Sequence, residues 1–229
     1  MKSHLSAMTG LLVLASAVPT FADTTEERLQ DTTAVLREII TAPDQAIPQE
    51  LLEQAHCVVI VPGVKSGAFM VGGKYGRGYA ACRNQRGNGW GPPAAVRMEG
   101  GSFGFQIGGS ETDVVLLVMN KRGIDKLLQS KFTLGGAAEV AAGPVGRSST
   151  AQTDAMMTAK ILSYSRSRGV FAGVSLQGAT LRQDSDENER LYGRGYSNKT
   201  ILRGYVPVPH AATELLSLLK HYSRTESGA

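Results

Sequence analysis

Residues 99–109, "EGGSFGFQIGG", decide how this chain folds. They contain Gly100-Gly101-Ser102-Phe103-Gly104, a formal match to the G-x-S-x-G nucleophile elbow. An elbow needs a strand before the serine and a helix directly after it. The preceding "AAVRM" suits a strand, but the following "FGFQIGG" alternates like a second strand and has no helical period. A hydrolase of this type also needs an acid and then a histidine downstream. His210 and His221 lie in or beside a helical pattern near the C-terminus, and no HGGG-like oxyanion segment precedes Ser102. The stretch is therefore read as sheet. Gly100-Gly101 turns a hairpin between strands at 94–98 and 102–107, and Gly104, Gly108 and Gly109 admit a bulge or a close backbone approach. A serine hydrolase using Ser102 is the reading set aside.

More strand signals lie on either side. "CVVIV" at 57–61 is a β-branched run that Pro62-Gly63 is expected to stop. Residues 67–82 read as two strands joined near 73–76, and "DVVLLVM" at 113–119 as a fully buried strand. Residues 132–142 suit a strand pair or one bulged strand. Residues 161–165 and 170–176 suit a hairpin around 166–169. Helical spacing occurs at 23–41, where Leu29, Thr33, Leu36 and Ile40 recur and acids occupy the first turn. Shorter helices are expected at 44–54, 121–130 and 211–222, with a capped turn at 197–202. Consecutive strands without regular intervening helices imply an α+β fold. The sheet is expected to be mainly antiparallel, a sandwich or partly closed barrel, flanked by N- and C-terminal helices.

The composition agrees. Of 229 residues, 42% are hydrophobic and 19% charged, which is globular, and 27 glycines favour tight turns and bulges over a helical bundle. The formal charge of +4 tolerates an anionic partner without demanding one. The basic residues are scattered among acids, so no nucleic-acid footprint emerges. Residues 1–22 carry Lys2, an apolar run at 5–18 and a small-x-small site at Thr20-Phe21-Ala22, the pattern of a secretory signal. The expected mature unit is one domain, 23–229, exported to the periplasm or the periphery of the envelope, with no transmembrane anchor.

Cys57 and Cys82 are the two cysteines. Both fall in strand patterns, which leaves two readings open: a disulfide, or two buried thiols. They have no nearby histidine pair, so no metal site is expected, and no cofactor. "LGGAAEVAAGPVGR" at 134–147 lacks the Lys-Ser/Thr ending of a phosphate-binding loop and is read as close packing. "DSDENE" at 184–189 lacks the glycine and terminal glutamate of a calcium loop and is read as a solvated acidic loop. Cations at presumed turns are the candidate headgroup contacts: Lys65, Lys74, Arg77, Arg147, Arg166 and Arg168.

Several long blocks in order, "CVVIVPGVKSGAFMVGGKYGRG", "GWGPPAAVRMEGGSFGFQIGGSETDVVLLVMN", "SKFTLGGAAEVAAGPVGR", "ILSYSRSRGVFAGVSLQGATL" and "LYGRGYSNKTIL", resemble the SYLF domain over about 51–202. The resemblance implies lipid binding without catalysis. Its eukaryotic members are cytosolic, bind phosphoinositide membranes and, in fungi, actin, often with an SH3 domain attached. The helix at 23–41 carries Asp23, Glu26, Glu27, Asp31 and Glu38 against Arg28 and Arg37. A net-acidic helix argues against carrying phosphoinositide and actin binding over to this chain. The expected function is binding to a phospholipid or membrane surface. The alternative is an envelope module that is structural or binds another envelope protein.

Overall fold

The computed structural model describes residues 24–42, 47–69, 71–84, 89–103, 108–134, 140–144, 159–167, 170–173, 176 and 178–223. The leader pattern at 1–22 lies outside them. Helix α1 (Thr25–Thr41) starts where the sequence provides a complete capping box: the Thr24 side chain accepts from the Glu27 amide, and Glu27 accepts from the Thr24 amide. Arg28, Leu29, Thr32, Val35, Leu36 and Ile39 form its buried stripe. Helix α2 (Gln49–Gln54) follows. Four long strands come next: β1 (Cys57–Phe69), β2 (Val71–Cys82), β3 (Ala94–Phe103) and β4 (Gly108–Val118). After them come α3 (Lys121–Leu127), β5 (Lys131–Thr133), β6 (Val140–Ala142), β7 (Ile161–Ser167), β8 (Val170–Gly173) and β9 (Thr180–Gln183). The chain closes with α4 (Ser185–Tyr192), α5 (Asn198–Leu202), a 3-10 turn (His210–Ala212) and α6 (Thr213–Tyr222).

The described strands form one nine-stranded sheet in the order β5-β9-β3-β2-β1-β4-β7-β6, with β8 also paired to β7. The sheet curls as a half-barrel. Its ladders are antiparallel except for β6–β7. The expected α+β fold with flanking helices is therefore present. The centre strands β1 and β4 bury both faces, which is why "CVVIV" and "VVLLV" are unbroken apolar runs. Val58, Ile60, Tyr79, Val115 and Leu117 face α1, α2 and α6. Val59, Val61, Ala80, Leu116 and Val118 face α3 and α5.

Four local expectations need correction. Residues 99–109 do not fold back as a hairpin. Gly100 and Gly101 sit inside β3, opposite Lys74 and Gly73 of β2, and β4 pairs with β1 instead. The two halves of the stretch therefore flank the β1–β2 hairpin, in the strand order of a Greek key. Pro62-Gly63 does not end β1. The register shifts there on both sides, between Ile60 and Lys65 against β2 and between Val61 and Val64 against β4. A bulge accommodates a proline and a positive-φ glycine without stopping the strand (Gly63 φ +53°). The strands at 131–133 and 140–142 do not pair with each other but with β9 and β7. Residues 184–189 are not a solvated loop. They cap and begin α4, with Asp184 and Glu187 buried.

The open question about the cysteines is answered. Cys57 and Cys82 stand opposite each other on β1 and β2 and form a disulfide.

Candidate functional site

The bulge at Pro62-Gly63 moves the following residues of β1 by one position, so that Lys65 faces the α1 side of the sheet while Val64 stays in the opposite core. On that side, between α1 and strands β1, β2, β4 and β7, lies a cleft of about 540 Å³. Arg28, Asp31 and Glu38 line it from the helix, and Lys65, Arg77, Glu111, Asp113 and Arg166 from the sheet. These are four cations and four carboxylates, so the wall carries no net charge.

Most of this charge is internally engaged. Arg28 Nη1 lies 2.7 Å from Glu187 Oε2, with both side chains almost fully buried. The Tyr79 hydroxyl donates to Glu187 Oε1 at 2.7 Å. Arg77 Nε donates to Asp184 Oδ2 at 2.5 Å, and its Nη2 lies 3.6 Å from Glu187. Burial alone would raise the Glu187 carboxyl, but the Tyr79 hydroxyl and the Arg28 guanidinium prevail and hold it below the usual carboxylate value. Burial, followed by the bond to Glu187, pushes the Tyr79 hydroxyl up. A second group forms around Arg166, which pairs with Glu38 of α1 and with Asp113 Oδ2 at 2.5 Å. Asp113 Oδ1 accepts the Gly63 amide at 2.9 Å. Burial pushes the Asp113 carboxyl up, against that amide and with help from Glu111 and Asp31. Both groups pin α1 to the sheet.

What remains accessible is Asp31 on the helix side and, on the sheet side, a row across three strands. Tyr75 of β2 stands opposite Lys65 of β1, and Lys65 stands opposite Glu111 of β4. Lys65 and Glu111 are exposed and Tyr75 is 50% exposed. Lys65 forms no ion pair with any described carboxylate. Glu111 turns toward the bulge, where its Oε1 would stand 2.7 Å from a Cβ added to Gly63.

Of the six cations singled out in the sequence, the cleft gathers Lys65, Arg77 and Arg166. Arg77 and Arg166 sit within strands, and their guanidinium groups are held by carboxylates. Lys74 lies one residue from Tyr75 and so on the opposite face, beside the Ser66–Ser110 side-chain hydrogen bond. Arg147 and Arg168 lie outside the described residues. Ser102 is a strand position opposite Gly72, not a strand-to-helix corner. No group of three metal-ligating side chains occurs among the described residues. The sequence reading missed Arg28, Asp113, Asp184 and Glu187. A signal for the last two was present: Asp followed three residues later by Glu is an N-terminal helix pattern.

A family model described as "Ysc84: Las17-binding protein actin regulator" matches residues 99–222. The chain belongs to this Ysc84/SYLF family. It is 35% identical over 180 residues to "Protein YSC84" of Saccharomyces cerevisiae, covering 77% of this chain and 38% of that protein. "LAS seventeen-binding protein 3" from the same species is 33% identical over 77% of this chain and 39% of its own length. "SH3 domain-containing YSC84-like protein 1" of Homo sapiens is 32% identical over 79% of this chain and 53% of its own length. The chain thus spans about two fifths of the yeast relatives. These names overturn the expectation against actin binding: the acidity of α1 bears on lipid headgroups and says nothing about a protein partner. Much of that helix is also buried against the sheet or tied to it by Arg28 and Glu38. The family is described by actin regulation.

Proposed function

We propose that this chain is a non-catalytic binding module that attaches to a phospholipid surface through the cleft under α1, acting in the cell envelope after export. The observation that carries this reading is Lys65: an exposed cation in the cleft, without a carboxylate partner among the described residues, beside the half-exposed ring of Tyr75. An ammonium on a flexible stem next to an amphipathic aromatic suits a wet headgroup layer. In this reading Arg166 shapes the cleft by holding α1 and Arg77 by holding the start of α4, and Lys65 makes the contact. Lys74, on the other face, has no share in it.

A second reading is favoured by the names of the relatives. Here the partner is an actin-associated protein, docked on the same mixed-charge surface. Co-sedimentation of the protein with phospholipid vesicles, and separately with actin filaments, tests both. Pelleting with vesicles, reduced by Lys65→Ala, supports the first. Pelleting with filaments alone replaces it with the second.

A further inference from the structure

We propose that the cleft recognises a zwitterionic group, a phosphate anion joined through two carbons to a primary ammonium, with Lys65 taking the phosphate and Glu111 the ammonium. This deepens the headgroup reading given above and rests on it. The lining carries four cations and four carboxylates, and a site built for a simple anion would not balance them. Arg166 and Asp113 hold one another, and Arg77 is held by Asp184. On the sheet side the accessible pair is then Lys65 and Glu111, opposite charges on adjacent strands that do not bond to each other, while the exposed Asp31 of α1 adds a second carboxylate across the cleft.

Their separation follows from the backbone. Directly opposed residues of an antiparallel pair stand roughly 5 Å apart at Cα. Glu111 leans over Gly63, whose missing Cβ leaves the room its carboxylate occupies. A ligand whose two charges are a two-carbon link apart spans such a pair. A primary ammonium can donate hydrogen bonds to Glu111, which a trimethylammonium cannot. Tyr75, on the other side of Lys65, presents a half-exposed ring beside the same ligand.

The test is titration of the full chain with glycerophosphoethanolamine, followed by amide chemical shifts and calorimetry. Phosphoethanolamine, glycerophosphocholine, inorganic phosphate and ethanolamine are the comparison probes. The expected result is shift changes at Lys65, Tyr75 and Glu111, and affinity at least about tenfold above that for phosphate or ethanolamine alone. Lys65→Ala and Glu111→Gln should each lower it by about tenfold. Both positions are exposed, so the variants should fold, which unchanged circular dichroism would verify. Inorganic phosphate binding as tightly as the diester, or Glu111→Gln leaving affinity unchanged, overturns the proposal.

Vesicles identify the source. Preference for phosphatidylethanolamine over phosphatidylcholine vesicles assigns the site to a lipid headgroup. Tight binding of free phosphoethanolamine without that preference assigns it to a soluble metabolite. Vesicle pelleting indifferent to headgroup and to Glu111→Gln would sink the zwitterion while leaving membrane attachment standing. No binding to either vesicles or soluble probes would remove both.

Discussion

Replacing Glu187 with Gln should weaken the fold by about 3–5 kcal/mol at neutral pH, the cost of breaking a buried ion pair. The size follows from what the carboxylate touches. Arg28 of α1 is 6% exposed and has Glu187 at 2.7 Å as its charge partner. Gln keeps the shape, and its amide oxygen still accepts from Tyr79, but the counter-charge is gone. Against a total stability of roughly 5–15 kcal/mol this is a large share. For a domain of this length the midpoint should fall by roughly 6–20 °C. Urea unfolding with the disulfide intact measures it. The pH dependence adds a sign. The folded-state pKa of Glu187 is depressed, so its contribution is complete above the ordinary glutamate range and is lost as pH falls through the folded value. The gap between wild type and Glu187→Gln should therefore close toward acid pH. A loss under about 1 kcal/mol at pH 7, or a gap that widens on acidification, would refute the view that this pair anchors α1.

Three further outcomes are expected. Gly78→Ala should cost about 3 kcal/mol or more, or prevent folding, because its Cβ would meet the Ile60 carbonyl oxygen at 2.0 Å and the Val61 Cα at 2.8 Å, backbone atoms that cannot swing aside; expression yield and urea midpoints report it. Replacing both Cys57 and Cys82 with Ala, or reducing them, should remove about 3–4 kcal/mol, the loop-closure value for a separation of 25 residues, read from thermal unfolding with and without reductant. Lys65→Ala should leave stability within about 0.5 kcal/mol while vesicle pelleting falls; unchanged pelleting would remove Lys65 from the site.

The class of fold was legible because period-2 and unbroken apolar runs dominate the middle of the chain and helical spacing occurs at its two ends. What was not legible depended on distant partners. Pro62-Gly63 has the composition of a stop, yet β2 and β4 grip the strand from both sides and turn the stop into a bulge. Gly100-Gly101 has the composition of a hairpin turn, but the opposing strand is β2, contributed from earlier in the chain. Asp184 and Glu187 read as solvated because their cations, Arg77 and Arg28, are more than a hundred residues away. The candidate site was half legible: cations could be picked by type, but the carboxylates that hold two of them, and so the difference between a structural arginine and an available lysine, appear only in three dimensions.

The strand order also dictates a sequence of events in time. β1, β2 and β3 find their partners next to them along the chain, and the Cys57–Cys82 link lies within that first meander. The outer edge of β3 waits for β9, and α1 packs against α6 near the other end of the chain. Local pairings form before distant ones because a long loop costs more entropy to close. The helix that leaves the ribosome early can rest on β1 and β2 but completes its packing only when α6 arrives, and pulse-labelled amides should gain full protection in β1–β3 before they do in α1. Until its C-terminal third arrives, the young sheet keeps an unpaired edge and an uncovered apolar face, the state in which a chain of this kind is most in need of a chaperone.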